Sequence, residues 1–314
     1  MTALDAVTFG EALALFVAQQ EGDLAQVSDY KRVLAGAEVN VAIGLTRLGH
    51  RTGWVSRVGD DPFGRFVLAE LAAAGVDTST VTLDADAPTA FQLKGHAGGG
   101  DPENVYFRRH SSGTRLAPSP AIDAYIGGAR HLHLTGIPLA LSETARAFSA
   151  RAVDVARTAG ATISFDTNLR PVLWDSEEQM IREVNAMAAR ADWVLPGLSE
   201  GAVLTGATTP EGIAAFYLER GVTLVAVKNG ELGAELFTAA GEHHRLGAFA
   251  VETVDTVGAG DGFAAGLISA GLDGLDPAAA LERAVAVGAL ATTSPGDSDG
   301  LPTRAELDAF LAGG

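Results

Sequence analysis

The stretch Asp255-Thr-Val-Gly-Ala-Gly-Asp-Gly-Phe263 is the part of this chain that says most about its fold. Gly258, Ala259 and Gly260 have little or no side chain, so their backbone N–H groups can approach an anion closely. The apolar run from Phe263 to Ile268 then indicates a buried helix. A glycine-rich turn that opens a helix directs unpaired amides and the positive end of the helix dipole towards one point, which favours phosphate binding.

Asp261 follows this turn directly, where a carboxylate would repel a bound phosphate. The carboxylate is useful there if it removes a proton from a hydroxyl group that attacks phosphorus. This arrangement is typical of a phosphotransferase. A tight turn in which Asp261 only caps the helix is the structural alternative.

The nine residues together resemble a signature of the ribokinase-like (PfkB) carbohydrate kinases. In that family the Gly-Ala-Gly turn is the anion hole and the Asp is the catalytic base, which implies these roles for residues 258–260 and Asp261. Gly36-Ala-Glu-Val-Asn40, with the segments that end at Gly49 and Gly64, resembles the family's other signature. That resemblance implies that Gly36, Ala37 and Asn40 line the sugar site, and it extends over essentially all 314 residues.

Short apolar runs alternate with longer alanine-rich segments along the chain. Such alternation predicts a largely parallel sheet covered by helices on both faces, with ligands at the carboxyl ends of the strands. The predicted strands are Val7–Gly10, Thr52–Ser56, His131–Leu134, Thr162–Phe165, Trp193–Leu195 and Thr223–Val227. The predicted helices are Glu38–Leu48, Phe63–Ala74, Ser142–Ala159, Ser176–Ala189, Pro210–Arg220, Gly262–Ala270 and Pro277–Thr292. The resemblance implies one α/β/α kinase domain over residues 1–314, with its nucleotide-binding half at about 190–314.

Two regions, residues 12–35 and 88–112, interrupt this alternation with extended segments that no helix separates. We predict that they form a small antiparallel sheet standing off the main one. In the family such a sheet is a lid over the sugar and often pairs subunits. The resemblance therefore implies a homo-oligomer joined through the lid.

Within the family, several stretches resemble the 2-keto-3-deoxygluconate kinase group. Ala14 stands where fructokinase- and ribokinase-type members usually have an Asp that binds sugar hydroxyls. The segments 106–118 and 166–174 resemble that group's lid and its D-x-N-x-R motif. The resemblance implies that Phe91, Tyr106, Arg108, Arg170 and Asp297 contact the substrate. The two arginines offer planar donor pairs that match a carboxylate, although either could instead pair with a surface acid.

The nucleotide site is also implied by the resemblance. Lys228, Asn229, Gly230 and Gly233 match the family's K-x-G-x-x-G turn beside ATP, and Asn168, Gly258 and Gly260 are further expected contacts. Glu200 is retained from the family's N-x-x-E motif, which organises hydrated Mg²⁺, but Gly197 replaces its Asn. Asp255 matches a position that holds a monovalent cation, such as K⁺, in related kinases.

Composition restricts the remaining possibilities. The chain has 39 acidic and 22 basic residues and a formal net charge of −17, which disfavours nucleic acid and anionic membranes as partners. The sequence contains no cysteine, so disulfides and thiolate metal ligands are excluded. The N-terminal segment does not resemble a signal peptide and no apolar run approaches ~20 residues, so we expect a cytoplasmic protein.

These observations predict an ATP-dependent sugar kinase, with 2-keto-3-deoxygluconate as its acceptor and Mg²⁺ as its cofactor. Two alternatives remain open. One is a kinase of the same family that acts on fructose or another neutral sugar. The other is a non-catalytic sensor of a sugar or nucleotide with the same fold.

Overall fold

A sheet of eight strands forms the middle layer of the molecule in a computed structural model that describes residues 4–96, 103–294, 296 and 298–313. Numbered in chain order, the strands are β1 Ala6–Phe9, β2 Leu13–Ala18, β3 Tyr30–Ala35, β4 Thr52–Val55, β5 Arg57–Gly59, β6 Thr82–Asp84, β7 Ala90–Lys94, β8 Asn104–Phe107, β9 His131–Thr135, β10 Thr162–Asp166, β11 Trp193–Val194, β12 Leu224–Lys228, β13 Ala234–Thr238 and β14 His243–Leu246.

The strand order of the main sheet is β14-β13-β12-β11-β10-β9-β1-β4. The six strands from β12 to β4 in this order pair in parallel, and β13 and β14 extend the sheet as an antiparallel hairpin at one edge. These six are the six strands predicted from the sequence, so the largely parallel sheet is confirmed. Their carboxyl ends lie at one edge of the sheet, where Gly10, Asp166 and Lys228 end or follow a strand.

Helices cover both faces of this sheet. They are α1 Ala37–Arg47, α2 Pro62–Ala73, α3 Pro120–Ile126, α4 Ile137–Leu141, α5 Glu143–Ala159, α6 Glu177–Ala188, α7 Leu198–Thr205, α8 Pro210–Leu218, α9 Ala259–Leu272, α10 Pro277–Ala291 and α11 Arg304–Gly313. One core cluster joins the sheet to α3, α5, α6 and α8, and two others lie on the opposite face with α1, α2, α9, α10 and α11. The α/β/α class predicted from the sequence is therefore confirmed. None of the helices in the described ranges is long and apolar enough to cross a bilayer.

A second sheet, which we call the lid sheet, has the order β3-β2-β7-β8. Its strands come from the two regions singled out in the sequence. The β2–β3 and β7–β8 pairings are antiparallel, whereas β2 and β7 pair in parallel. The central pairing is parallel because β2 and β7 are joined by a long crossover through α1 and α2 and not by a hairpin.

The two faces of the lid sheet have different surroundings. Strand alternation places Leu15, Gln92 and Tyr106 on the face towards the carboxyl ends of the main sheet. The opposite face carries Phe16 and Phe91, which pack on Phe63, Phe107 and each other. The lid is therefore anchored through an aromatic cluster on its outer face, and its polar face is directed at the site described next.

Candidate active site

A cleft of about 380 Å³ lies between the polar face of the lid sheet and the carboxyl ends of the parallel strands. It is lined by twelve of the residues predicted from the sequence: Gly36, Ala37, Asn40, Tyr106, Arg108, Asn168, Arg170, Glu200, Lys228, Gly258, Gly260 and Asp261. Residues from both ends of the chain thus meet in one place. Asp297, also predicted to contact the substrate, lies outside the described residues.

Asp261 occupies the first turn of α9 and faces the beginning of α1. Gly258 caps α9 with φ of 84°, a left-handed conformation that glycine adopts without strain. Asn40 donates from Nδ2 to Asp261 Oδ2 across 2.8 Å, which orients the carboxylate. Asn40 Oδ1 is buried and has no hydrogen-bond partner among the described residues, so it is available to a donor from a ligand.

Lys228 places a positive charge beside the glycine turn. A Cβ atom built on Gly260 would lie 3.5 Å from Lys228 Nζ. The ammonium is 2.5 Å from Asp166 Oδ2. Burial lowers the pKa of Lys228, but the nearby carboxylates of Asp166, Glu200 and Asp261 outweigh it and raise that pKa above its usual value. Lys228 is therefore charged at neutral pH and can interact with a phosphate at this turn.

Glu200 shapes the loop after β10. Its carboxylate accepts hydrogen bonds from Thr167 Oγ1 and Leu169 N at 2.7 Å and from Gly197 N at 2.9 Å. Asn168, in the same loop, has φ of 36°, and its buried Oδ1 has no partner within the described ranges. The loop backbone also donates to Asp166, from Asn168 N at 3.2 Å. Oxygen acceptors on Asn168, Asp166 and Glu200 fit a hydrated Mg²⁺, because this ion keeps most of its water ligands. Glu200 therefore contributes to a Mg²⁺ site by ordering the loop after β10.

The two arginines expected to bind the substrate have different environments. Arg108 donates from Nε and Nη2 to Glu11 Oε2 at 2.8 and 2.7 Å, and this pair is largely buried. Arg170 is exposed at the opposite wall of the cleft, where Nη1 donates to Leu169 O at 2.9 Å. Within the described ranges no carboxylate lies within ion-pair distance of Arg170. Arg170 thus has no carboxylate partner among the described residues, whereas Arg108 has Glu11.

Phe91, predicted to contact the substrate, is not among the residues that line the cleft. Phe91 lies on the outer face of the lid sheet and stacks on Phe107 with ring centroids 4.4 Å apart. Because side chains alternate along a strand, its neighbour Gln92 faces the cleft and donates to Asn104 Oδ1 at 2.8 Å. Gln92 was missed by the sequence reasoning, although the alternation of aromatic and polar residues in β7 was a usable signal.

The turn after β12 is formed as expected but lies beside the cleft. Asn229 N donates to Gly233 O at 2.8 Å and closes the turn. Asn229, Gly230 and Gly233 are not among the residues that line the 380 Å³ cleft, whereas Lys228, one residue earlier, is. The structure therefore separates Lys228 from the other three predicted nucleotide contacts.

Asp255 has a partner that the sequence did not indicate. Its Oδ2 atom is 2.7 Å from the ammonium of Lys94, at the end of β7, and the Lys94 side chain is only 9% exposed. A resident monovalent cation at this carboxylate would have to share it with the Lys94 charge. The residues present therefore do not fit the K⁺ site that the resemblance implied.

Glu38 is a second acidic group that sequence reasoning did not single out. It is buried in the first turn of α1 and accepts a hydrogen bond from Thr135 Oγ1 at 2.6 Å. Its Oε2 packs against Gly10, where any larger side chain would overlap it. Burial raises the pKa of Glu38 to about 7.

Several known proteins are similar to this chain over almost its whole length. A family model described as pfkB family carbohydrate kinase matches residues 3–304. The chain is 48% identical over 310 residues to a 2-dehydro-3-deoxygluconokinase of Bacillus subtilis, covering 98% of this chain and 96% of that protein. A 2-dehydro-3-deoxygluconokinase of Thermoproteus tenax is 35% identical, covering 97% and 93% of the two chains. Fructokinase-2 of Solanum lycopersicum is 34% identical, covering 98% and 96%.

Solved structures are similar over almost the whole chain. A PfkB protein from Polaromonas sp. JS666 has a TM-score of 0.91 at 47% identity and covers 98% of this chain and 100% of that one. A putative ribokinase II from E. coli, in complex with ATP and Mg²⁺, has a TM-score of 0.91 at 29% identity and covers 99% and 100%. A fructokinase double mutant from Vibrio cholerae O395, with fructose, ADP and a potassium ion, has a TM-score of 0.84 at 28% identity and covers 98% and 99%.

Proposed function

The chain belongs to the pfkB family of carbohydrate kinases, and on that basis we propose that it transfers the γ-phosphoryl group of ATP to the terminal hydroxyl of 2-dehydro-3-deoxygluconate, also called 2-keto-3-deoxygluconate. As a carbohydrate kinase it is a phosphotransferase with an alcohol group as acceptor. The family therefore disfavours the alternative hypothesis of a non-catalytic sensor.

In this proposal Asp261 is the general base. Its carboxylate is held by Asn40 in the first turn of α9, next to the turn that would bind the transferred phosphoryl group. A hydroxyl placed between Asp261 and that phosphoryl group would lose its proton to the carboxylate as the new O–P bond forms, the bond from the γ-phosphorus to the bridging oxygen breaks and ADP leaves. Asn40 Oδ1, a buried acceptor, is suited to hold a neighbouring sugar hydroxyl.

Charge on the transferred group is balanced by fixed donors. The amides of Gly258, Ala259 and Gly260 lie at the start of α9, and the Lys228 ammonium lies beside them. Such donors stabilise charge without reorganising during the reaction. Mg²⁺, supported by Asn168 and Glu200, would neutralise the β- and γ-phosphates when bound.

The unpaired guanidinium of Arg170 is the observation that supports an acidic sugar. Lys94, Arg108 and Lys228, the other three basic residues of the cleft, each pair with a carboxylate of the chain. Arg170 has no such partner among the described residues and lines the same cleft, and a planar guanidinium suits a carboxylate. A substrate carboxylate would complete this arrangement, whereas a neutral sugar would leave it without a counter-charge.

The test is a comparison of kcat/KM for 2-dehydro-3-deoxygluconate and for fructose in wild type, Arg170→Ala and Arg170→Lys. We expect Arg170→Ala to lose ~2–5 kcal/mol on the acid sugar and much less on fructose. Arg170→Lys should not restore activity, because an ammonium lacks the two-pronged geometry. Arg182→Ala, which removes an exposed arginine of α6 that does not line the cleft, is the control. Equal fractional losses on both sugars would contradict the proposal.

A neutral sugar such as fructose is the second candidate, because Arg108 is already neutralised by Glu11. The Arg108 guanidinium then serves to tie the lid sheet to Glu11. Only Arg170 remains to bind an acid group of the substrate. Higher kcat/KM for fructose than for the acid sugar would favour this candidate.

Three further elements belong to the proposal. The lid sheet covers the sugar and excludes water from the reaction. The nucleotide-binding half consists of residues from about 190 to 314. Pairing of lid sheets joins two copies into a homo-oligomer. The cytoplasm, where ATP is available and a cysteine-free chain needs no oxidising environment, is the expected compartment.

A further inference from the structure

Lys94 connects the lid sheet to the loop that precedes the turn at Gly258–Gly260. It ends β7 on the face of the lid sheet that is directed at the cleft, opposite Val17 of β2. Its Nζ atom lies 2.7 Å from Asp255 Oδ2, and the two side chains are 9% and 23% exposed. A pair this well buried excludes most of the solvent that would screen it.

Asp255 also helps to shape the turn at Gly258–Gly260. Its Oδ1 accepts a hydrogen bond from Val257 N at 3.1 Å, one residue before Gly258. The backbone next to it is tied to the end of α10, since Val254 N donates to Thr292 O at 2.8 Å. The Lys94 ammonium therefore acts on a carboxylate that helps set the path of the chain into α9.

We propose that Lys94 is a positioning residue of phosphoryl transfer: its ammonium occupies, at Asp255, the place of a monovalent cation and ties the lid sheet to the turn at Gly258–Gly260. The proposal rests on the proposed kinase function for its kinetic part only. Lys94 gives Asp255 a counter-charge from the chain itself, because a tethered ammonium carries the same single charge as K⁺.

Removal of the Lys94 side chain leaves Asp255 without its counter-charge and vacates space that opens to the cleft. A partly buried carboxylate that has lost its partner is unfavourable, so a small cation from solution should bind there. The wild-type protein should not bind a small cation at Asp255, because Lys94 already pairs with this carboxylate. Replacement of the missing ammonium by K⁺ or methylammonium is thus the specific consequence of the proposal.

The kinetic experiment measures kcat and sugar KM for wild type, Lys94→Ala and Lys94→Arg in K⁺, methylammonium or tetramethylammonium chloride at equal ionic strength. We expect wild type to be indifferent to the cation and Lys94→Ala to lose kcat about 10- to 100-fold, since a misplaced turn misaligns the reacting atoms. K⁺ or methylammonium should restore most of that loss. Lys94→Arg should keep most activity without added cation.

Lys31→Ala is the matched control. Lys31 is the other lysine of the lid sheet, and its pair with Asp299, at 4.0 Å, is exposed on both sides. It should behave as wild type in every salt. A Lys94→Ala variant with normal kcat, or a wild type that K⁺ activates, would overturn the proposal.

A second measurement does not depend on turnover. The melting temperature of Lys94→Ala should rise in K⁺ relative to tetramethylammonium, and that of wild type should not. Asp255→Asn should abolish the rise, because it removes the cation's ligand. This pattern without activity on any sugar would retain the cation role and reject only the proposed substrate; equal melting temperatures of Lys94→Ala in both salts would reject the cation role.

Discussion

At the scale of single residues, two carboxyl groups of the cleft region have opposite chemical environments. Asp261 is partly exposed, receives a hydrogen bond from Asn40 and lies near Lys228, which suits an ionised base. Glu38 is fully buried, and Oε2 has no hydrogen-bond donor among the described residues. Burial favours the neutral acid and outweighs the nearby charge of Arg108, which is paired with Glu11. Asp261 is therefore suited to proton transfer and Glu38 to packing.

Replacement of Asp261 by Asn should remove proton transfer while keeping the shape of the side chain. We expect kcat to fall by ~10²–10⁴-fold, with the melting temperature and ATP affinity near those of wild type. Asp308→Asn, which changes an exposed acid of α11, should leave kcat unchanged. A retained kcat above about a tenth of the wild-type value in Asp261→Asn would rule out Asp261 as the base.

Glu38 should make the free energy of unfolding depend on pH. The folded protein keeps the Glu38 proton up to about pH 7, whereas the unfolded chain releases it near pH 4.5. The folded state thus binds more protons in this window, so the contribution of Glu38 to stability is present at low pH and is lost as pH rises from 4.5 to 7. Glu38→Gln, which mimics the neutral acid, should not show this loss.

The stability difference between Glu38→Gln and wild type should therefore grow in favour of the variant by about 3 kcal/mol across that window. Urea unfolding at several pH values measures it. Parallel stability curves for the two proteins would mean that Glu38 does not titrate between these limits.

At the scale of one element, the alternation along β7 separates a structural from a functional face. Phe91 belongs to the aromatic cluster with Phe16, Phe63 and Phe107, and Gln92 belongs to the cleft with Asn104. Adjacent substitutions in the same strand should therefore affect different properties. A substitution of Phe91 is therefore the control for a substitution of Gln92, and the reverse also holds.

Phe91→Ala should lower the free energy of unfolding by about 2 kcal/mol, because it removes a half-buried ring, and should change the sugar KM little. Gln92→Ala should leave stability closer to wild type and raise the sugar KM by about 2- to 10-fold, the value of one lost hydrogen bond. Chemical unfolding and steady-state kinetics measure the two effects. A larger KM change for Phe91→Ala than for Gln92→Ala would contradict this division of the strand.

At the scale of the whole molecule, the lid sheet has two edge strands, β3 and β8, and exposes Tyr106 and Phe107 at 46% and 47%. Unpaired edges and exposed aromatic residues favour association. These features make the lid sheet the candidate surface for contact with a second copy of the chain.

We expect a homodimer joined through the lid sheets, measured by light scattering at micromolar concentration. Phe107→Asp should shift the protein towards monomer, because a charge would be buried at the contact. Leu275→Asp, at an exposed apolar residue between α9 and α10, is the control and should leave the dimer intact. A wild-type monomer under these conditions would refute a lid-mediated dimer.

The sequence by itself determined the local parts of this protein. The six parallel strands, the turn at Gly258–Gly260 and the position of Asp261 at the start of α9 follow from periodicity and from neighbours in the chain. The helices α3, α4, α7 and α11 were not predicted, because few residues in each show a clear apolar period. The family's two signatures also indicated that both ends of the chain contribute to one cleft.

Only the tertiary structure decided which charges pair and which strand face meets the cleft. The partners Arg108 and Glu11 are 97 residues apart, Lys94 and Asp255 are 161 apart, and Asn40 and Asp261 are 221 apart. Alternation in β7 indicates two faces but not their orientation, since that depends on how the lid packs on α2. An ionic partner is selected by distance and burial in the folded molecule, and neither is a property of the local sequence.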